Sequence, residues 1–260
     1  MNPSDPTGNG SKGRQGFKVG FLLAAALVIG VLLALALIER PAPESAPGSP
    51  PQAAIEIDVT AVRPAAESGD AEAQWKLGLA CARGQGVPQN YAEAAQWYRR
   101  AAEQGHAAAQ AALGELYEAG QGVPYDEAEA ARWYRRAAEQ GHAGGQYSLA
   151  VLYVLGRGVP RDLAQALQWY RRAADQGNAQ AQYHLGTRHR DGDGLPLDLV
   201  EAHKWLSLAA AQGLPDAARA RDELKRKMIR EQIAESRRRV EAFSPAAPPR
   251  ESPGGVPKPQ

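Results

Sequence analysis

Cysteine is nearly absent: Cys81 is the only one among 260 residues. A single thiol cannot close an intramolecular disulfide, and it cannot alone supply a thiolate metal site. Net charge is small as well. Thirty Lys and Arg stand against 29 Asp and Glu, a formal charge of +1, which gives no global reason to expect nucleic acid as a partner. Charged residues at 23% and hydrophobic ones at 44% are ordinary globular contents, so neither wholesale disorder nor a polytopic membrane protein fits. What the chain has in excess is 27 glycines and 19 prolines. Their placement decides whether they mark low complexity or follow a rule.

Charge in the first forty residues is uneven. Lys12, Arg14 and Lys18 precede an uncharged run, Val19 to Ile38, which ends at Glu39-Arg40. Such a run, at about 1.5 Å per residue, makes a helix of roughly 30 Å, the thickness of a bilayer's hydrocarbon core. A soluble helix of that length would show a polar face, and this one shows none. A cleaved signal peptide is the alternative, since Ala34-Leu35-Ala36 has the small-x-small pattern of a cleavage site. The run exceeds the roughly 7–15 residues of a usual signal h-region, which favours an uncleaved anchor. Either way the basic flank is expected to stay cytoplasmic and the chain from residue 41 to lie outside the cytoplasm. The stretch Pro41 to Gln52 then reads as a semi-rigid spacer.

Beyond the spacer the glycines fall into register. Gly69, Gly105, Gly141, Gly177 and Gly213 are 36 residues apart, as are Trp97, Trp133, Trp169 and Trp205. Val87-Pro88, Val123-Pro124, Val159-Pro160 and Leu195-Pro196 keep the same step, and so do the Gly-x-Gly pairs that begin at Gly84, Gly120, Gly156 and Gly192. Composition bias does not produce four features in one register; a repeat array does. Each unit divides into two helices. In the second unit the spacing predicts one helix over Ala107 to Ala119, stopped at Gly120-Gln121-Gly122. A second helix follows, capped by Tyr125 or Asp126 and closed at Gly141. A single pair cannot bury its apolar stripe, whereas stacked neighbours can.

These residues carry a resemblance. Ala109-Gln110, Leu113-Gly114-x-x-Tyr117, Gly120-x-Gly122-Val123, Ala130, Trp133-Tyr134 and Ala137 together resemble the Sel-like repeat (SLR), a 36-residue relative of the tetratricopeptide repeat. The likeness covers residues 65 to about 213 in four units. It implies an all-α, right-handed solenoid used as an interaction scaffold, without catalysis in most members. Some relatives have been described as β-lactamases or penicillin binders. Those carry a cysteine pair in each repeat, which this chain lacks.

The ends depart from the pattern. Ile55, Ile57 and Val59 alternate with Glu56, Asp58 and Thr60, which predicts a short extended lead-in over 53–64 rather than a helix. From Asp216 to Phe243 runs a charged helical stretch with Leu224, Met228, Ile233, Val240 and Phe243 as its apolar side. It resembles the terminal cap of Sel-like arrays. Those caps commonly turn at a Thr-Pro pair, and Ile229-Arg230 stands there instead, which argues for an unbroken capping helix. The expected organisation is a cytoplasmic tail over 1–18, a transmembrane helix over 19–38 and a Pro-rich linker with lead-in over 39–64. A repeat solenoid over 65–213, a capping helix over 214–243 and a disordered tail over 244–260 complete it.

Catalytic constellations are not visible. His106 and His142 share a column with Asp70 and Asn178 that reads as a helix N-terminus, and the histidines show no Ser-His-Asp or Cys-His order. Asp191-Gly192-Asp193-Gly194 has the look of a calcium loop, but its twelfth position is Ala202 rather than a bidentate glutamate. No cofactor and no metal are expected. Cys81 falls in a column shared with Tyr117, Tyr153 and His189 and reads as a buried, inert thiol. The pairs Arg99-Arg100, Arg135-Arg136 and Arg171-Arg172 read as solvated residues that favour a helix C-terminus. From Arg219 to Arg239, nine Lys and Arg face four Asp and Glu, whereas residues 41–218 are net acidic at −6. That separation can guide an acidic partner or attract anionic headgroups.

Columns that vary between units are the surface a partner reads. With the Leu-Gly pair aligned to tetratricopeptide relatives, whose groove is lined by the first helix of each pair, the candidate groove residues are Trp75, Leu79, Tyr147, Val151, Val154, Tyr183 and Arg190. The expected function is a non-enzymatic, membrane-tethered adaptor that holds a protein or peptide in this groove. The alternatives are a cell-envelope enzyme or accessory acting on cell-wall material, and a secreted binder released near Ala36.

Overall fold

The computed structural model describes residues 57–246. The expected transmembrane helix, the Pro-rich spacer and most of the tail lie outside those residues. Within them, eleven α-helices follow one another and no strand forms. After α1 (Val59–Glu67) come four pairs. They are α2 (Ala71–Arg83) with α3 (Tyr91–Glu103), α4 (Ala107–Ala119) with α5 (Glu127–Glu139), α6 (Ala143–Leu155) with α7 (Leu163–Asp175), and α8 (Ala179–Asp191) with α9 (Leu199–Ala211). Then α10 (Pro215–Lys225) and α11 (Arg230–Glu241) close the array. From α1 to α10 each helix packs on the one before it, as a solenoid requires, whereas α11 packs on α9. No helix among the described residues is long and apolar enough to cross a membrane.

Local chemistry sets the helix ends. Asp70, His106, His142 and Asn178 cap the first helices, and their side chains accept from the backbone N–H three residues on. Asn90, Asp126, Asp162 and Asp198 cap the second helices in the same manner. Of the two residues able to cap α5, Asp126 does so. Gly122 shows why the turns need glycine. Its φ is +69°, and a Cβ there would lie 2.2 Å from the Tyr91 carbonyl carbon. Gly114 answers a different need, close approach of α4 to α5, since a Cβ would stand 2.8 Å from the Tyr134 ring.

A column of buried glutamines joins the pairs. Gln74, Gln110, Gln146 and Gln182 are each at most 5% exposed. Their Nε2 atoms donate to the carbonyls of Ala66, Ala102, Ala138 and Ala174, at 3.0–3.2 Å, near the end of the preceding helix. Their Oε1 atoms accept from Gln104, Gln140, Gln176 and Gln212, just past the end of the following helix, at 2.6–2.9 Å. Each alanine carbonyl also takes the N–H of the repeat glycine three residues on, such as Gly141 on Ala138 at 3.0 Å. Both lone pairs are then used.

The arginine pairs do more than favour a helix end. Arg100, Arg136 and Arg172 lie over Trp97, Trp133 and Trp169 at 4.5–4.6 Å. Arg99 and Arg135 reach into the next unit and donate to the hydroxyls of Tyr117 and Tyr153 at 2.5 and 2.9 Å. Cys81 is fully buried, and loss of solvent, helped by Glu93, pushes its thiol up to about 11.

Two expectations about the ends are corrected. The alternating stretch around Val59 is not extended; residues 59–67 form α1, with Pro64 inside it. Asp58 caps that helix through Thr60 and Ala61, and Ala66 fills the same ladder position as Ala102. Tertiary pairing outweighs the alternation. The single capping helix is in fact two, because the chain breaks at 226–229. There Lys227 and Met228 make tight turn bonds, and the Gln232 side chain accepts from the Ile229 N–H. The break lets α11 return over α9. Leu224, Met228 and Ile233 pack on Ala202 and Leu206, and the Phe243 ring meets Trp205 edge-on at 5.7 Å. Residues 244–246 are not free tail, since the Ala246 N–H donates to the Asp175 carbonyl at 2.8 Å.

Replacing Gln146 by Met keeps volume and deletes both ladder bonds, so it is expected to cost about 1–3 kcal/mol. Exposed Gln96→Met is expected to move stability by under about 0.5 kcal/mol. Urea unfolding of the two variants measures the difference.

Candidate functional site

The first helices α2, α4, α6 and α8 carry the variable columns. All seven candidate groove residues are half-buried. Trp75 and Leu79 rest on the N-terminal core cluster. Tyr147, Val151 and Val154 rest on the cluster around Tyr170 and Leu185, and Tyr183 on the last unit and the cap. The apolar side chains pack against the core and still present part of themselves to solvent, as a binding face must.

The candidates form two groups. Tyr147 and Tyr183 meet around His184, whose ring lies 5.9 Å from Tyr147 and 5.6 Å from Tyr183. Tyr170 stacks on the same imidazole at 5.1 Å. Burial, with Arg188 nearby, holds the His184 pKa below its usual value, so the cluster is uncharged at neutral pH. Trp75 belongs elsewhere and stacks on His106 at 5.3 Å. The N-cap role fixes His106: Nδ1 accepts from Ala109 N–H, so the proton is on Nε2, which meets Glu72 at 2.9 Å. Arg190 is not a free cation, because both its Nε and Nη2 are held by Asp191 at 2.7 and 2.8 Å.

Acidic side chains stand between the groups. Glu118 accepts from the Tyr134 hydroxyl at 2.8 Å and from Arg157 at 3.2 Å, and its charge reaches Tyr147. Glu115 has no hydrogen bond or ion pair among the described residues, although Arg83 lies within electrostatic range. Its side chain opens to solvent, yet protein surrounds it on the other sides. Desolvation first and the Glu118 charge second raise its pKa to about 7, with Arg83 opposing. Contact with water limits that rise.

Sequence reasoning passed over His184 as a member of this face, whereas the Leu-Gly alignment does put Glu115 and Glu118 in the groove columns of the second unit. The available signal was a break in pattern: the column of His184 holds Lys76, Ala112 and Ser148 in the other units. As for metals, no cluster of three or more ligating side chains occurs among the described residues. In the Asp-Gly-Asp-Gly turn, Arg190 takes Asp191 and Arg188 takes Asp193.

Comparison with known proteins fits this architecture. The family profile described as Sel1 repeat matches residues 71–106, 107–142, 143–178 and 179–214. A Sel1 repeat protein from Oxalobacter formigenes is 35% identical, over 73% of this chain and 76% of its own, with a TM-score of 0.62. A protective antigen of uropathogenic Escherichia coli strains, displaying an SLR fold, is 40% identical with a TM-score of 0.58. That match covers 62% of this chain, which spans only 34% of the antigen. No curated protein matches significantly.

A carboxyl whose pKa is raised by folding binds more protons in the native state, so it lowers stability as pH rises from its usual 4.5 toward about 7. Glu115→Gln is expected to flatten that part of the profile and to raise the thermal midpoint at pH 8 but not at pH 4.5. Calorimetry across this range provides the check.

Proposed function

Because the chain belongs to the Sel1 repeat family, whose members are protein–protein interaction scaffolds, we propose that it is a non-enzymatic adaptor. Its partner, a protein or peptide segment, docks along the first helices. One observation carries this reading: a row of half-buried apolar and aromatic side chains on α2, α6 and α8, in columns that vary while their neighbours stay constant. Tyr147, Val151, Val154 and Tyr183 around His184 supply the anchors. Trp75 and Leu79 offer a second contact, and Arg190 with Asp191 marks one end. Aromatic side chains at such positions contribute much of the binding energy for little lost entropy.

The adaptor is further proposed to be tethered to the inner membrane by residues 19–38. Its N-terminus would be cytoplasmic and its repeats extracytoplasmic. Support for this part is confined to sequence: Lys12, Arg14 and Lys18 ahead of a long uncharged run, and a proline-rich spacer after it.

Tyr147→Ala with Tyr183→Ala is expected to weaken partner capture by about 2 kcal/mol or more, roughly 30-fold, while leaving the helical signal intact. Capture at wild-type strength by a folded double variant would refute the face. Topology needs a separate experiment, in which a C-terminal reporter active only outside the cytoplasm should score on membranes that retain an N-terminal tag. A silent reporter would refute the orientation, and loss of the tag would mean cleavage.

A further inference from the structure

Where α9, α10 and α11 meet, a cavity of 280 Å³ opens. This is just under the lower end, about 300 Å³, of small-molecule sites. His203, Ser207, Arg221, Asp222, Lys225, Arg237, Val240 and Glu241 form its wall. His203 is 5% exposed. Its Nδ1 lies 2.8 Å from the Ser236 hydroxyl and 3.3 Å from that of Ser207. Each hydroxyl can donate to that nitrogen or accept from it, so both Ser236 and Ser207 hold the ring through Nδ1. The ring's Nε2 is closed to solvent and has no hydrogen-bond partner. A buried polar nitrogen left unmatched costs stability.

Around the imidazole three cations, Arg221, Lys225 and Arg237, outnumber two acids. Lys225 and Arg237 make no ion pair among the described residues, and Arg221 uses only its Nε, on Asp222 at 2.9 Å. Glu241 is the other acid on the wall. On α9, Glu201 is paired with both Lys204 and Arg239. At His203 itself burial first, then Arg221, Lys225 and Arg237, press the pKa down, and Asp222 opposes them last.

We propose that this cavity binds a phosphate group, free or as a monoester, held by Arg221, Lys225 and Arg237 above His203. One guanidinium can satisfy a carboxylate through two parallel bonds, whereas three cations from two helices suit a tetrahedral dianion. The ligand would clamp α10 to α11 and thereby lock the cap. This site is independent of the first-helix face and does not rest on the adaptor reading.

The full chain is titrated with inorganic phosphate, glycerol phosphate and dispersed dihexanoyl phosphatidic acid, against chloride at matched ionic strength. Binding is followed by calorimetry and the His203 ring by NMR. Bound phosphate should raise the His203 pKa by about half a unit or more. Lys225→Gln with Arg237→Gln, both exposed, should lose about tenfold in affinity and keep the thermal midpoint measured in chloride. Arg226→Gln with Lys227→Gln removes equal charge outside the cavity and should leave affinity within about twofold. Saturation by the soluble anions identifies a free phosphate or phosphoester; saturation by the lipid alone identifies a headgroup. No binding in any arm, an unmoved His203, or equal losses in the two double variants would overturn the site.

Discussion

A buried glutamine in each first helix holds three helices at once, and the rest of the array depends on it. Its amide nitrogen takes the second lone pair of a carbonyl near the end of the preceding helix. Its oxygen takes the side-chain amide that follows the next helix. A leucine in that place would bury as well but would tie nothing, because apolar contact has no direction. Hydrogen bonds inside a low-dielectric core do have direction, and they penalise any slip that leaves them unmade. Repeating this bond set every 36 residues therefore fixes the spacing of units along the solenoid.

With spacing fixed, other columns align without further adjustment. Arginine on one second helix reaches the tyrosine hydroxyl of the next unit, and its neighbour lies over the tryptophan of its own helix. These contacts consume the arginine stripe, which thus belongs to the stacking of units rather than to a ligand. The first helices are left with the freedom to vary. There the units differ in chemistry: a tryptophan on imidazole in the first, two carboxylates in the second, and a tyrosine–histidine cluster shared by the third and fourth.

The ends obey the same constraint by different means. The first repeat glutamine needs a carbonyl to bond, and α1 supplies it from Ala66 despite a proline within the helix. At the other end no further first helix follows, so α10 and α11 cover Ala202 and Leu206 in its stead. That cover is amphipathic and strongly basic outside, and its fold-back creates a cavity around a histidine that the repeat pattern does not use.

The number of units, their two-helix division, the capping residues and the family were legible because they rest on local backbone requirements stated four times over. Glycine at positive φ, proline after the turn and Asp or Asn at the helix start need no distant partner to be read. The candidate face was legible in part: Tyr147, Val151 and Val154 were found by column variation, while His184 and Glu115 gained their meaning from neighbours on other helices. Segments without a second copy misled. Alternation near Val59 hid α1, though Ala65-Ala66-Glu67 repeats Ala101-Ala102-Glu103, and the break at 226–229 had no proline to announce it. The sequence alone thus determined the period and the helices, which local propensity and repetition encode. Only the tertiary structure decided the glutamine pairing, the imidazole-centred cluster and the folded-back cap, because each is a contact between residues far apart in the chain.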